Sequence, residues 1–218
     1  KKHRQETGLF FIEGRGAVGE AIQTLAPIEA LIIAPELLVS DFGRDLVGHP
    51  TLEHIDKIEV SAEIYHKIAH KQGPQGIGAI VRQTWLPLAQ IDVGEEDVWV
   101  ALDAISDPGN LGTIMRTADA VGSRGIILLG HSTDPYDPTA VKASMGSIFS
   151  LELVQAEWKP FYNWCKDNHL FLVGTSDRAP ADYQSIAYQA PLALLMGSER
   201  HGISSEMQAA CDQMVAIP

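Results

Sequence analysis

Short, continuous apolar runs recur through the second half of the chain and constrain its fold more than any other feature. They alternate with segments of helical periodicity and span residues 98–102, 125–129, 148–154, 170–174, 192–196 and 214–217. A strand that is apolar at consecutive positions is buried on both faces, which is typical of a parallel sheet covered by helices. The pattern therefore predicts an α/β domain with a parallel sheet.

The first part of the chain predicts a smaller α/β domain. Short apolar strands are expected at 9–12, 30–34, 57–60 and 77–81. The clearest helix is expected at 61–70, where Ser61 is a suitable N-cap and Glu63 suits the positive end of the helix. A proline, a glycine and an acidic run interrupt the periodicity beyond it. We therefore predict domains at 1–84 and 98–218, joined by a linker at 85–97.

Charge is distributed unevenly between these two parts. The chain has a formal net charge of −12, yet residues 1–85 hold nine Lys and Arg against eleven Asp and Glu, whereas residues 86–218 hold seven against seventeen. Phosphate contacts need clustered cations, so any nucleic-acid contact through charge is expected in the first part, led by Lys1, Lys2, His3 and Arg4. A solvated basic tail explains the same residues equally well.

Several classes of protein lack support in the sequence. No apolar run approaches the roughly 20 residues of a membrane span, and no signal-peptide core is present, so we expect a cytoplasmic protein. Cys165 and Cys211 lie in apolar helical patterns and are interpreted as reduced packing residues. The histidines and cysteines have no metal-ligand spacing, and we expect no metal site.

A glycine motif near the start of the chain leaves two interpretations open. Gly14, Gly16 and Gly19 form a GxGxxG pattern between a strand and a helix, with Glu36 following a second strand. That context is close to a dinucleotide-binding fingerprint, so an NAD-binding oxidoreductase is one hypothesis. The other is that the glycines only shape a strand-to-helix turn, which we favour because the strand is short and the block is small.

The segment DAISDPGNLGTIMRTADAVG is the richest in candidate functional residues. Asn110 is a suitable N-cap, and a helix is expected over 111–121. Its spacing predicts a buried face and places Arg116 on the opposite side, where an ion pair with Asp119 would also explain it. The predicted buried residues are Leu111, Ile114, Met115, Ala118 and Val121.

The second candidate segment is PLALLMGSERHGIS. Its apolar strand ends at Gly197 and is followed by Glu199, and a helix cap is expected at Ser204. Ligands bind beyond the carboxyl ends of strands in open parallel sheets, so this loop is a candidate site. Thr175 follows another such strand. The segment 139–146 is interpreted as a loop that supplies Lys142 and Ser144.

Together these segments resemble a known family. NLGTIMRTADAVG resembles the first signature motif, and LLMGSERHGIS the second, of the SpoU family within the SPOUT class of RNA methyltransferases. DPYDPTAVKASMGSIFSLELV also fits the family, and RQETGLFFIEG resembles its ribosomal-protein-like substrate-binding domain. The resemblance extends over nearly the whole chain.

The resemblance implies S-adenosylmethionine as the cofactor, RNA as the substrate, transfer to a ribose 2′-hydroxyl, and a trefoil-knotted catalytic domain. It further implies a homodimer through that domain. The family's third motif, a Ser-Leu-Asn segment after an Ile-Pro step, is expected beyond Pro218, so the knot segment is expected to follow the printed chain.

Candidate site residues follow from the same resemblance. Asn110 and Arg116 match catalytic positions of the first motif, and Glu199 matches the acid of the second. The positions that match the cofactor site are Thr175, Leu195, Met196, Gly197 and Ile217. Lys142 and Ser144 join Lys1, Lys2 and Arg4 as expected RNA contacts.

The role of Arg116 is constrained by its chemistry. The pKa of arginine is about 13, so deprotonation near neutral pH costs roughly 7 to 8 kcal/mol. We therefore expect Arg116 to bind a phosphate or the developing alkoxide as a bidentate donor rather than to act as a base. Glu199 is expected to orient loop amides or Asn110.

Two classes of RNA are candidate substrates. The small first domain favours ribosomal RNA. Transfer RNA is the alternative, because short motifs do not encode the shape of an RNA. A non-catalytic RNA-binding protein and the NAD-binding oxidoreductase are the hypotheses from other classes.

Overall fold

A computed structural model describes residues 2–69 and 73–217. The chain forms two compact units. Unit 1 comprises Lys1–Gln83 and Pro135–Ser150, and unit 2 comprises Thr84–Asp134 and Leu151–Pro218. Within the described ranges, no helix is long and apolar enough to cross a membrane.

The elements alternate between strands and helices along the chain. The strands are β1 (Leu9–Glu13), β2 (Ile28–Ile33), β3 (Asp56–Glu59), β4 (Ile77–Arg82), β5 (Val98–Asp103), β6 (Gly125–Leu129), β7 (Glu152–Ala156), β8 (Phe171–Thr175), β9 (Ala181–Asp182), β10 (Leu192–Met196) and β11 (Gln213–Ala216). The helices are α1 (Lys2–Thr7), α2 (Arg15–Gln23), α3 (Asp41–Val47), α4 (Ala62–Ile68), α5 (Pro108–Ala120), α6 (Pro138–Ser144), α7 (Trp158–Asp167) and α8 (Ser205–Ala210).

Unit 1 contains a mixed sheet in the order β1-β4-β2-β3. Strand β4 runs antiparallel to both of its neighbours, and β2 and β3 are parallel. Helix α4 begins as predicted, because the side chain of Ser61 accepts a hydrogen bond from the Ile64 amide. Tyr65 of this helix packs in a buried cluster with Ile32 and Ala34.

The sheet order of unit 1 contradicts the dinucleotide-binding hypothesis. A dinucleotide fold pairs its first two strands in parallel, whereas β4 separates β1 from β2 here. Gly14 has a φ of 92° and caps α2 without a side chain, and its amide donates to the Ile77 carbonyl. Gly14 therefore shapes a strand-to-helix turn, whereas Gly16 and Gly19 lie within α2.

Pro135–Ser150 packs within unit 1, although its sequence position suggests the second domain. The rings of Phe10 and Tyr136 lie 4.7 Å apart, and Arg4 Nη2 lies 3.4 Å from Asp137 Oδ2. The predicted loop over 139–146 is wrong, because most of it forms α6, which Asp137 caps. A following 3-10 turn at Ser147–Phe149 also delays the strand predicted from 148, so β7 begins at Glu152.

Unit 2 contains the parallel sheet that the apolar runs predicted. Its order is β7-β6-β5-β10-β8-β11-β9, and every recorded pairing is parallel. All five residues of β6 are buried, and Trp99 and Trp164 make an edge-to-face contact in the core, with centroids 5.7 Å apart. Residues 85–97 pack on this unit: the Leu86 amide donates to the Leu153 carbonyl, and Ile91 is buried.

Candidate active site

The site lies at the carboxyl edge of the sheet in unit 2. Strand β10 lies between β5 and β8, and β8 pairs in turn with β11. The register sets Met196 opposite Leu102, Leu195 opposite Gly174, and Val215 opposite Thr175. Because all four strands are parallel, the segments that follow them emerge at one edge, where open α/β sheets bind ligands.

Helix α5 presents the first motif at this edge. Asp107 is its N-cap and accepts a hydrogen bond from the Asn110 amide at 2.7 Å, so the prediction of Asn110 as the cap is wrong. Pro108 explains the earlier start, because proline at the first helical position loses no hydrogen bond there. Asn110 lies in the first turn, and its side chain is free to bond elsewhere.

The faces of α5 largely follow the predicted periodicity. Leu111, Met115 and Ala118 are buried. Val121 was predicted on the same face but is 74% exposed, because the helix ends before it. Arg116 is exposed and forms neither the suggested ion pair with Asp119 nor any other ion pair with a described residue.

The two motifs meet through one side-chain hydrogen bond. Asn110 Nδ2 donates to Glu199 Oε1 at 2.9 Å. This bond, followed by a backbone hydrogen bond at Glu199 itself, lowers the pKa of the Glu199 carboxyl, because both favour the ionised form. Glu199 is therefore held as a carboxylate acceptor, which is the orienting contact expected from the sequence.

The loop after β10 is folded tightly on itself. The Gly202 amide donates to the Ser198 carbonyl at 2.9 Å, and Ser198 Oγ accepts from the His201 amide at 3.2 Å. A Cβ atom on Gly197 would lie 2.0 Å from the Gly202 carbonyl carbon, so this position requires glycine. Ser204 then caps α8 by accepting from the Met207 amide, as predicted.

A cavity of about 620 Å³ opens beside this loop. Four of the predicted cofactor residues line it: Thr175, Met196, Gly197 and Ile217. Leu195 does not, because its side chain is buried in the core, although its carbonyl accepts a hydrogen bond from Thr175 Oγ1 at 3.3 Å. Residues that sequence reasoning did not assign to the cofactor site also line the cavity: Ser176, Asp177, Arg178, Ser198, Glu199, Arg200, His201, Gly202 and Gln208.

The cavity fits S-adenosylmethionine in volume and chemistry. Its size is within the roughly 300–1,000 Å³ of small-molecule sites. Met196 and Ile217 supply apolar surface suited to an adenine ring, and hydroxyl and charged groups such as Thr175 and Asp177 suit the ribose and the amino-acid part. The groups missed from the sequence lie in loops whose side chains converge only once adjacent strands are paired.

The predicted RNA contacts have different surroundings. Lys1 lies outside the described residues, whereas Lys2 is exposed, with Nζ 3.9 Å from Glu6 Oε1. Arg4 is mostly covered and paired with Asp137. Lys142 lines an apolar cavity in unit 1. The Ser144 hydroxyl is buried and donates to the Val141 carbonyl, so it does not reach solvent.

The described ranges contain no group of three or more His, Cys, Asp or Glu side chains placed to hold a metal ion. Cys165 and Cys211 are free thiols. Burial, as the largest cause, raises the pKa of Cys165 to about 12 and that of Cys211 to about 11. Both thiols are therefore protonated near neutral pH and suited to packing rather than to nucleophilic chemistry.

Comparison with known proteins places the site in a family context. Residues 97–218 match the SpoU rRNA Methylase family, and residues 1–79 match the MRM3-like substrate binding domain. A 23S rRNA uridine 2′-O-methyltransferase of Streptomyces viridochromogenes is 29% identical over 100% of this chain and 77% of that protein. A 23S rRNA guanosine 2′-O-methyltransferase of Bacillus subtilis is 27% identical over 100% of this chain and 83% of that protein.

Solved structures agree in fold. The AdoMet-bound rRNA methyltransferase of Sinorhizobium meliloti is 34% identical, with a TM-score of 0.89 over 100% of this chain and 81% of that chain. The SpoU methyltransferase of Streptomyces viridochromogenes in complex with AdoMet is 29% identical, with a TM-score of 0.90 over 100% of this chain and 84% of that chain.

The parallel sheet, the tight glycine loop and the cavity at its carboxyl edge define an α/β enzyme that binds its cofactor beyond the strand ends. The chain belongs to the SpoU rRNA methylase family.

Proposed function

We propose that this protein transfers a methyl group from S-adenosylmethionine to a ribose 2′-hydroxyl of ribosomal RNA. The observation that carries the proposal is the Asn110–Glu199 hydrogen bond, which joins the two motifs beside a cavity of suitable size. The similarity to 23S rRNA 2′-O-methyltransferases over the whole chain favours ribosomal RNA over transfer RNA.

The cofactor would be held at the carboxyl ends of β8, β10 and β11. Met196 and Ile217 would contact its apolar part, and Thr175 would contact a polar part. Gly197 allows the loop beside the cavity to close on itself, because a Cβ atom there would meet the backbone of Gly202. Leu195 contributes through its carbonyl, which fixes the Thr175 hydroxyl.

When bound, the cofactor supplies a methyl group on a positively charged sulfur. The ribose 2′-oxygen would take this methyl group, the cofactor would leave as a neutral thioether, and the 2′-hydroxyl proton would pass to water. Arg116 stabilises the developing negative charge or an adjacent phosphate, since its guanidinium is exposed, stays protonated and has no ion-pair partner among the described residues.

Asn110 and Glu199 act as positioning residues in this proposal. The Glu199 carboxylate holds the Asn110 amide group in one orientation, which leaves the Asn110 Oδ1 atom to accept a hydrogen bond from RNA. Fixed geometry of this kind contributes to rate because a misplacement of about 1 Å can cost 100-fold.

Unit 1 would bind a part of the RNA other than the reacting ribose, through Lys1, Lys2 and Lys142. The match of residues 1–79 to a substrate binding domain supports this assignment. Ser144 and Arg4 are not proposed as RNA contacts. Ser144 is buried, and Arg4 is paired with Asp137.

Three further features belong to the proposal through the family resemblance: a trefoil knot, a homodimer formed by the catalytic domains, and a cytoplasmic location. Sedimentation equilibrium of the full-length protein tests the dimer. A monomer at concentrations that support full activity would contradict that part alone.

The decisive experiment is methyl transfer from labelled S-adenosylmethionine to separate pools of ribosomal and transfer RNA, followed by digestion to nucleosides. We expect label in a 2′-O-methylated nucleoside from the ribosomal pool. Label only in transfer RNA would show that transfer RNA, and not ribosomal RNA, is the substrate. Label on a base would refute ribose methylation. Tight RNA binding without transfer by folded protein would favour a non-catalytic RNA-binding protein.

A further inference from the structure

Unit 2 is strongly acidic, so the positions of its few lysines and arginines indicate where RNA could bind. This unit holds six lysines and arginines against sixteen aspartates and glutamates, a net charge of −10. An acidic surface repels RNA phosphates, so an RNA that reaches the cavity needs local positive charge there. The positions of the six cations therefore indicate where a phosphate backbone is tolerated.

Two of the six are committed to structural ion pairs. Arg124 Nη2 lies 2.6 Å from Glu152 Oε1, and Lys166 Nζ lies 3.0 Å from Asp212 Oδ1. By contrast, Arg178 and Arg200 are exposed and form no ion pair within the described parts of the chain. They stay unpaired although Asp177 and Glu199 are their immediate neighbours in sequence.

Local contacts explain how these arginines stay available. Glu199 Oε1 already accepts the hydrogen bond from Asn110, and Asp177 Oδ1 is 3.4 Å from the Ser176 hydroxyl. The Arg178 amide donates to Ser176 Oγ at 3.2 Å, which fixes the backbone at the base of that side chain. Each arginine thus extends from an anchored loop and forms no ion pair with a described carboxylate, although the charge of Arg200 contributes to the lowered pKa of Glu199.

The fold brings the two arginines to the same place. Arg178 follows β8 and Arg200 follows β10, and these neighbouring strands pair with Leu195 opposite Gly174. Both residues line the 620 Å³ cavity. Arg116 belongs to the helix that follows β5, the other neighbour of β10, so three unpaired arginines follow three adjacent strands.

We propose that Arg178 and Arg200 bind phosphates of the substrate RNA that flank the target ribose, and so position the strand over the cavity. Guanidinium groups bind phosphate in a bidentate manner, and their exposure at a cavity wall suits an extended, solvated strand. This inference rests on the proposed function, and it makes the two arginines positioning residues for the RNA. The carboxylate of the cofactor is the competing anion that the test must separate.

The test compares Arg178→Gln, Arg200→Gln and the double variant with Lys159→Gln. Lys159 is an exposed cation of the same unit on α7 and does not line the cavity, so it controls for the loss of one charge. Binding of protein-free large-subunit ribosomal RNA is measured by filter binding from 50 to 300 mM KCl. Binding of S-adenosylmethionine is measured by calorimetry, and circular dichroism verifies folding.

We expect the RNA Kd of the double variant to rise at least tenfold more than that of Lys159→Gln. The slope of log Kd against log salt should fall by about 1.4 to 1.8, because each lost phosphate contact removes roughly 0.7 to 0.9. The cofactor Kd should rise by a smaller factor than the RNA Kd does. Arg200→Lys should retain most of the salt dependence but not the full affinity.

An RNA Kd no more affected than in the control would overturn the inference. So would a tenfold weaker cofactor Kd with unchanged RNA binding, which would assign the arginines to the cofactor carboxylate. These outcomes concern binding alone. Failure of the proposed function is distinct, since it would be an absence of methyl transfer to the same RNA by wild-type protein.

Discussion

Asn110 Nδ2 donates a hydrogen bond to Glu199 Oε1 at 2.9 Å, although the two residues are 89 positions apart in the chain. The contact forms because α5 follows β5 and the glycine loop follows β10, and these two strands are parallel neighbours. A single pair of exposed side chains thus connects the two signature segments.

Removal of either partner should reduce activity more than stability. We expect Asn110→Ala and Glu199→Gln each to lower kcat by roughly tenfold to 100-fold, since orientation is lost. The free energy of unfolding should change by less than about 1.5 kcal/mol, the usual range for one hydrogen bond. Steady-state methylation and urea denaturation measure the two quantities.

A double variant shows whether the pair acts as one unit. Its loss of activity should then be close to the larger single effect rather than the product of both. Glu206→Gln is a matched control, because it makes the same change on α8 away from the cavity. Independent, multiplicative effects would contradict the coupling.

The Glu199 carboxyl should titrate below the ordinary glutamate value of about 4.3. The hydrogen bond from Asn110 is the main cause of its lowered pKa. Because the folded pKa is the lower one, the associated stabilisation is present above about pH 4.3 and is lost as pH falls through the folded value. Carbon-13 NMR of the side-chain carboxyls measures this titration.

The same titration in Asn110→Ala should move the Glu199 pKa upward toward the ordinary value. An identical Glu199 pKa with and without Asn110 would show that the hydrogen bond is absent in solution.

Arg116 should act through its positive charge and its donor geometry. We expect Arg116→Lys to keep partial activity and Arg116→Ala to lose at least 100-fold in kcat/KM, about 2.7 kcal/mol of transition-state stabilisation. RNA binding and methylation are measured side by side. Complete loss in Arg116→Lys with unchanged RNA affinity would count against simple charge binding.

Gly197 should not tolerate even one added methyl group. In Gly197→Ala the Cβ would lie 2.0 Å from backbone of Gly202, so the loop has to open. We expect weaker cofactor binding by tenfold or more and a destabilisation of about 1 to 3 kcal/mol. Calorimetric titration with S-adenosylmethionine and thermal unfolding measure these effects.

Gly16→Ala provides the contrasting control. A Cβ there meets nothing within 4 Å, and the residue lies inside α2, so the change should be neutral or slightly stabilising. Loss of cofactor binding in Gly16→Ala would indicate that the glycine motif at Gly14, Gly16 and Gly19 takes part in cofactor binding.

Much of the local structure could be predicted from the sequence. Continuous apolar runs placed the strands of unit 2, and 125–129 and 192–196 match β6 and β10 residue for residue. The caps at Ser61 and Ser204 were also predicted correctly, since capping depends on only a few neighbouring residues. Errors arose where two local signals competed, as at Asp107 and Asn110, where proline at the first helical position favoured the earlier start.

The surroundings of individual side chains could not be predicted from local sequence patterns. Ser144 is polar and lies near a glycine, which is typical of an exposed loop, yet it is buried in a helix of unit 1. Arg4 belongs to a basic terminus but pairs with Asp137, 133 residues away. Such contacts depend on residues distant in the chain, which local patterns do not relate to one another.

The sequence by itself determined the α/β class, most strands and the motif residues, because hydrophobic periodicity and capping are local properties of the chain. Only the tertiary structure decided that β10 lies between β5 and β8. That order brings Asn110 to Glu199 and sets Arg178 and Arg200 on one cavity. Strand order depends on how distant segments pack and pair, and this is a property of the whole fold.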